Sequence, residues 1–285
     1  MNSITVQAYA KVNLSLDITG SRDGYHTIDS VVASVGLCDE IRAVRRGDGR
    51  VNVVMRGGGE DIPPEHNNAV KAARGYVEAF ATSGADIEVV KRIPVGAGLG
   101  GSSADVAGVL NAMSALYGGD YAAVKAVADS IGSDCGYMLR GGFARISGRG
   151  DRVSPVATDL KLHLLLVLPP QGVSTAGCYA LSDAYPERRH TSEAVSKAIC
   201  AGQLHELGRA LSNGLYPAAA LLNGDVRSAT EELLSLAPLG VNMTGSGSGV
   251  FALFADARSR DDALKNYGGE FRAIAVDTVI PERYV

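Results

Sequence analysis

IEVVKRIPVGAGLGGSSADVAGVLNAMSALY, residues 87–117, places an apolar run, a glycine loop and a helical pattern in direct succession. The run from Ile87 to Ile93 reads as a strand, and Pro94 ends it because proline has no N–H to give a ladder. Gly96, Gly98, Gly100 and Gly101 follow, then Ser102 and Ser103. Val106, Val109, Leu110, Met113 and Leu116 recur at helical spacing. Strand, glycine loop and serine-capped helix start make an anion cradle. Glycines let the backbone approach a phosphate, and the unpaired N–H groups of the first helical turn point at it with the positive end of the helix dipole. A simple capped turn needs one serine and no glycine run.

The rest of the chain bounds what such a cradle can serve. With 285 residues, 46% of them apolar and 20% charged, the composition is that of a globular chain with a sizeable core. A net charge of −4 argues against nucleic-acid binding over the whole surface. The start, MNSITVQAYAKVN, lacks the charged and apolar regions of a signal peptide, and no stretch approaches the roughly 20 apolar residues of a membrane span. Cys38, Cys135, Cys178 and Cys200 are scattered with no paired spacing, so free thiols are expected. These features fit a cytoplasmic protein, monomeric or weakly homodimeric, whose partner is a small molecule rather than nucleic acid or membrane.

Ser3 to Ile18 alternates apolar and polar residues as a strand or bent strand pair does, and Lys11 and Asn13, two apart, share one face of it. Residues 20–26 read as a polar turn, and strands are expected over 27–35, 39–44 and 51–56. A Gly-, Pro- and acid-rich loop over 57–68 precedes a helix over 68–80; further helices are expected over 102–117 and 121–130. The second half of 132–153 reads as a hairpin, and 161–168 as a strand ended by Pro169 and Pro170. Helical patterns fill 175–185, 191–201, 203–212 and 226–236. Strand, Gly–Ser loop and strand follow over 241–254, then a helix over 258–267 and a strand over 273–280. Two halves, 1–155 and 156–285, are expected to share one cleft.

Gly96, Gly98 and Gly101 satisfy G-x-G-x-x-G, the dinucleotide fingerprint. That fingerprint requires a second parallel strand after the helix, ending in an acid, and here the helix leads through YGGD into another helix. A Walker A loop requires a lysine after the glycines, and none follows.

Taken with two other polar clusters, the loop gains a different meaning. AKVNLSLDITGSRDGYHT, PVGAGLGGSSADVAG and MTGSGSGVFALF resemble, in order, the three motifs of the GHMP kinase superfamily. DGYHTI, GSDCGYMLRGGFARISGRGD and GVSTAGCY further resemble the branch that acts on cytidine diphosphate methylerythritol in non-mevalonate isoprenoid biosynthesis. The resemblance implies an α+β fold of two lobes: an N-terminal ATP lobe like the second domain of ribosomal protein S5, and a C-terminal ferredoxin-like lobe. It implies ATP and Mg²⁺ as cofactors and transfer of the γ-phosphoryl to a substrate hydroxyl. Such chemistry is mostly positioning plus neutralisation of charge.

By this resemblance Asp134, in GSD, is the catalytic base and Lys11, in AKVN, its partner. An ammonium there can draw the substrate hydroxyl toward alkoxide and stabilise the transferring charge. Pro94, Val95, Gly96, Ala97, Gly98, Leu99, Gly100, Gly101, Ser102, Ser103 and Ala104 would wrap the ATP phosphates, with a hydroxyl from Ser102 or Ser103 toward phosphate or Mg²⁺. No protein metal site is expected. Lys91 and Asn68 occupy adenosine-pocket positions, although a surface role is the default expectation for Lys91. Asn13 would hold the substrate or Lys11. Tyr25 and Tyr179 would stack on the cytosine and His26 would hydrogen-bond it. Thr244 and Gly245 begin a second Gly–Ser loop beside the phosphates or substrate. Two departures from the family pattern bear on this geometry: Ser102 stands where a third glycine is usual, and Cys135, Gly136 and Tyr137 replace Val-Pro-Phe. Homoserine- or mevalonate-type kinases and a non-catalytic nucleotide sensor remain rival readings.

Overall fold

The alternating N-terminal segment forms β1 (Ser3–Asn13) and, past a bend at Leu14, β2 (Ser15–Arg22), both antiparallel to a long β3 (Tyr25–Arg45). The computed structural model describes residues 1–58, 62–184 and 190–284. Residue 185 of the expected 175–185 helix and residues 59–61 of the expected 57–68 loop lie outside these. The polar turn expected over 20–26 shrinks to two residues, Asp23 (φ 53°) and Gly24 (φ 77°). Two consecutive left-handed residues match the twist of a hairpin, so the strands continue almost to the tip. The break expected between 35 and 39 is instead a bulge within β3: Tyr9 pairs with Cys38 and Ala10 with Val35, leaving Gly36 and Leu37 unmatched.

The first sheet also holds β4 (Asn52–Arg56), β5 (Ala85–Val90), β6 (Phe143–Gly148) and β7 (Arg152–Pro155), and a two-residue strand at 212–213 adds parallel to β2. Over it lie α1 (Asn68–Phe80), α2 (Gly101–Tyr117), α3 (Tyr121–Ile131) and the short α4 (Cys135–Met138). Helix α2 is buried almost all round, as a helix apolar on every face must be. Gly108 allows its close approach to the sheet, since a Cβ there would stand 2.5 Å from Ile41 and 2.8 Å from Ala8.

The second half holds β8 (His163–Leu168), α5 (Thr175–Ser182), α6 (Ser192–Cys200), α7 (Leu204–Ala210), β9 (Ser212–Asn213), α8 (Tyr216–Leu222), α9 (Gly224–Leu234), β10 (Gly240–Met243), β11 (Val250–Phe254), α10 (Ala257–Asn266) and β12 (Arg272–Asp277). Strands β10, β11, β8 and β12 make an antiparallel sheet in that order. Its two faces alternate strictly: Leu164, Leu166, Phe251 and Leu253 join the core of the first lobe, while Leu165, Val167, Val250 and Ala252 join a second core under α8 and α9. One sheet thus glues the lobes together. A buried carboxylate adds a polar tie. Asp17 on β2 accepts from the Thr191 and Ser192 N–H groups, each at 2.9 Å, and so caps α6 from the other lobe. No described helix is long and apolar enough to cross a membrane, and all four cysteines are free.

Candidate active site

Strand β5 ends at Val90, short of the end expected at Ile93, because the Asp39 carboxylate takes the N–H groups of Arg92 and Ile93. Beyond Pro94 the glycine loop turns through three left-handed residues, Gly96 (φ 75°), Gly98 (φ 70°) and Gly100 (φ 72°). Close approach to backbone also forces the glycine at 98, while Gly100 packs closely against side chains. A Cβ on Gly98 would lie 2.1 Å from the Thr244 carbonyl oxygen, and one on Gly100 would lie 2.4 Å from Met138 Cε and 3.2 Å from Lys11 Cγ. The second Gly–Ser loop, 244–249, is stitched to the first: Ser248 N–H donates to Gly96 O (3.3 Å) and Gly249 N–H to Ala97 O (3.2 Å). The expected serine cap of α2 is absent. Gly100 is the N-cap, with no side-chain hydrogen bond, and Ser102 and Ser103 lie within the first turn. A side-chain cap would occupy first-turn N–H groups; a glycine leaves them facing the cradle. The side chains of Ala97, Leu99 and Ala104 are buried, so these residues offer the cradle backbone only, whereas that of Val95 is exposed at its rim.

Lys11 and Asn13 meet on one strand face, as their spacing requires: Lys11 Nζ donates to Asn13 Oδ1 at 2.6 Å. The Lys11 backbone N–H donates to Leu99 O (3.0 Å), which fixes the strand against the loop. Lys11 Nζ stands 3.5 Å from Asp134 Oδ2, with the lysine side chain 6% exposed and the aspartate 35%. Asp134 precedes α4 but makes no capping bond with its side chain, so its carboxylate is left to the cleft and to Lys11. Asn13 is the junction of all three motifs. Its Oδ1 also accepts from Gly245 N–H (2.9 Å), its backbone N–H donates to Thr244 Oγ1 (3.2 Å), and its Nδ2 donates to Ser30 Oγ (2.9 Å). Thr244 Oγ1 in turn donates to Gly98 O (3.1 Å). The structure thereby brings together Lys11, Asn13, Asp134, the glycine loop, Thr244 and Gly245.

The two serines face different ways. Ser102 Oγ accepts from Asn68 Nδ2 (3.0 Å), and both line a cavity with Met55, Ile62 and Lys91 on the outer side of the loop. Its backbone is helical, so the missing third glycine costs no strain here. Ser103 turns to the Asp134 side. Burial pushes the Cys135 thiol up to about 11, against a smaller opposing pull from its hydrogen bond with Ser103. The replaced Val-Pro-Phe segment is accommodated by burial: Tyr137 OH donates to Gly142 O (2.7 Å) and meets Ser34 Oγ (3.2 Å).

Lys91 is not the surface residue its position suggests. Its side chain is 6% exposed, paired with Asp39 and with Asp105 (2.7 Å), and donates to Gly101 O (3.4 Å) beneath the start of α2. Desolvation raises the Asp105 carboxyl to about 7 despite the Lys91 charge, with Asp39 adding to the rise. Asp39 also accepts from Ile93 N–H (2.8 Å), which pins the chain between β5 and the glycine loop.

On the other side of the cleft His26 and Tyr179 stack, with ring centroids 4.9 Å apart and planes inclined by 27°. Burial lifts the Tyr179 phenol to about 12, and the negative charge of Asp134 adds to the rise. Tyr25 stands apart from that pair: it is 57% exposed, with the Arg149 guanidinium 3.7 Å over its ring. Sequence reasoning missed Asp39 and Asp105, which hold Lys91, Ser30 behind Asn13, and Asp183, 2.8 Å from His26 Nε2. Asp105 alone carried a signal, as a carboxylate among small residues at the head of an apolar helix.

Comparison with known proteins shows the family. The model of the GHMP kinases N-terminal domain matches residues 67–143, and that of the GHMP kinases C-terminal domain matches 195–272. A 4-diphosphocytidyl-2-C-methyl-D-erythritol kinase of Pelotomaculum thermopropionicum is 35% identical over 270 residues, 93% of each chain. Another, from Desulfitobacterium hafniense, is 37% identical over 88% of this chain and 87% of its own. A crystal structure of 4-(cytidine 5'-diphospho)-2C-methyl-D-erythritol kinase superposes with a TM-score of 0.78 at 30% identity, covering 96% of this chain and 99% of that one. Homoserine kinase from Cytophaga hutchinsonii has a TM-score of 0.75 at 18% identity, with 100% and 96% coverage, a likeness of fold alone. With three motifs joined at one cleft and relatives matched along nearly their whole length, the chain belongs to the 4-diphosphocytidyl-2-C-methyl-D-erythritol kinase family of the GHMP kinases.

Proposed function

We propose that this chain transfers the γ-phosphoryl of ATP to the 2-hydroxyl of 4-diphosphocytidyl-2-C-methyl-D-erythritol, with Asp134 as base and Lys11 as its electrostatic partner. The observation that carries this reading is the Lys11–Asp134 pair, 3.5 Å apart at the mouth of the glycine loop. As the substrate oxygen bonds to the γ-phosphorus and the bond to the β-phosphate bridge breaks, Asp134 takes the hydroxyl proton. Lys11 offsets the charge on the transferring group, and Asn13, anchored by the Thr244–Gly245 loop, keeps the ammonium in place. The N–H groups of the glycine loop and the first turn of α2 bind the phosphates, with the Ser103 hydroxyl on the catalytic side. The cavity lined by Asn68 and Lys91 takes the adenosine.

Among the described residues no group of three His, Cys, Asp or Glu could hold a metal ion. Mg²⁺ would enter with ATP, held by phosphate oxygens and water as is usual for this ion in kinases, with the Ser102 or Ser103 hydroxyl as the candidate protein ligand. When bound it neutralises charge on the phosphates. His26 and Tyr179 grip the cytosine, with Tyr25 at the rim. ATP consumption by the purified protein with the cytidine diphosphate substrate, homoserine and mevalonate tests the reading. Turnover is expected with the first alone. Turnover confined to homoserine or mevalonate would overturn the substrate assignment, and ATP binding without any turnover would favour a sensor.

A further inference from the structure

Asp183 takes no part in the chemistry above, yet it reaches across the lobes to the pyrimidine side of the cleft. His26 stands at the start of β3 in the first lobe. Tyr179 lies on α5 in the second, and Asp183 ends that helix four residues later, so both address one face. Together they grip one imidazole. The Tyr179 ring stacks on it at 4.9 Å, and the Asp183 carboxylate oxygen lies 2.8 Å from Nε2. Stacking fixes the plane of the ring, and the carboxylate fixes its hydrogen. An ionised carboxylate only accepts, so Nε2 carries the N–H; in the neutral ring Nδ1 then keeps its lone pair. The His26 side chain is 20% exposed and that of Asp183 58%, so the carboxylate holds the ring from its wet side.

We propose that Asp183 is a positioning residue for base selection: by holding the His26 hydrogen on Nε2 it presents Nδ1 as an acceptor, which suits the 4-amino group of cytosine and opposes the 4-oxo group of uracil. The inference rests on the kinase reading above. A uracil oxygen would meet Nδ1 lone pair against lone pair. Sites built around a hydrogen bond reject an analogue that leaves it unmade, because the desolvated groups stay unpaired. Without Asp183 the imidazole is free to place its hydrogen on Nδ1 and donate to that oxygen.

The test compares the full-length wild type with Asp183→Ala and Asp183→Asn on the cytidine substrate and its uridine analogue, alongside ¹⁵N spectra of the His26 imidazole. In Asp183→Ala the cytidine-to-uridine ratio of kcat/KM should fall about tenfold, through KM for the cytidine substrate, with kcat nearly unchanged. Asp183→Asn, whose amide oxygen still accepts from Nε2–H, should keep most of the selectivity. The spectra should report the Nε2–H tautomer in the wild type and a mixture in Asp183→Ala. An unchanged ratio in a folded Asp183→Ala, or an Nδ1–H tautomer in the wild type, would overturn the proposal. A wild type that phosphorylates neither compound would instead overturn the kinase reading on which it rests.

Discussion

Two lysines of the first lobe, Lys11 and Lys91, are equally buried, each with a side chain 6% exposed, and each touches the glycine loop, yet their surroundings assign them opposite tasks. Lys91 is held at short range by two almost fully buried carboxylates, with a helix carbonyl 3.4 Å away. An ammonium so enclosed has its charge and its donors spent on the protein. Lys11 has one close partner, the neutral Asn13 amide, and a part-exposed carboxylate at 3.5 Å. Its charge is only partly offset, and its free side faces the space between loop and base. A buried lysine becomes available for chemistry when its counter-charge is single and part-exposed, and becomes a strut when two dry carboxylates enclose it.

The largest effect that would break this contrast lies at the base. Asp134→Asn should reduce phosphoryl transfer by roughly 10³-fold while leaving ATP affinity near wild type, measured by single-turnover assay and calorimetry. Retained turnover would remove Asp134 from its role. Next comes the strut: Lys91→Met strands Asp39 and Asp105 without their cation, a change expected to cost about 3–5 kcal/mol of folding stability by urea denaturation. A stability within error of wild type would contradict the enclosure described here.

A smaller effect concerns pH. Because the folded-state pKa of Asp105 is raised to about 7, the folded protein holds a proton that the unfolded chain releases near pH 4. This group's contribution to stability is therefore full below that value and is lost as pH rises toward 7. Asp105→Asn should flatten the decline in urea midpoint between pH 5 and pH 8; an unchanged slope would place the titration elsewhere. The smallest effect is expected at Tyr25. Its ring is exposed and one face is covered by Arg149, so Tyr25→Ala should raise the substrate KM about threefold, and an unchanged KM would exclude it from the cytidine rim.

Much of this was legible along the chain. The alternation around Lys11 and Asn13 put both on one face, and the glycine run announced a phosphate loop before any packing was considered. Long periodic elements such as α1, α2 and α3 fall within a residue or so of expectation, because their apolar faces are set locally. What escaped depends on distance. Lys91 looked solvated because its two partners come from β3 and α2, which only the folded sheet brings beneath it. Short elements escaped as well: α4, β9 and α8 are too brief for a period to declare itself, and β9 exists only because β2 offers an edge. The stack of His26 on Tyr179 was not legible either, because it joins β3 to α5 across the two lobes. Sequence order placed Tyr25 and His26 together, whereas their alternation across β3 sends the adjacent side chains to opposite faces.

The central claim, that Lys11 serves the reaction and Lys91 the scaffold, is tested most directly by quench-flow measurement of a single turnover in Lys11→Met and Lys91→Met at saturating ATP and cytidine diphosphate substrate. The transfer step is expected to slow at least about 100-fold in Lys11→Met and to change by less than about tenfold in the folded fraction of Lys91→Met. A transfer step equally slow in both variants, or one preserved in Lys11→Met, would contradict that claim.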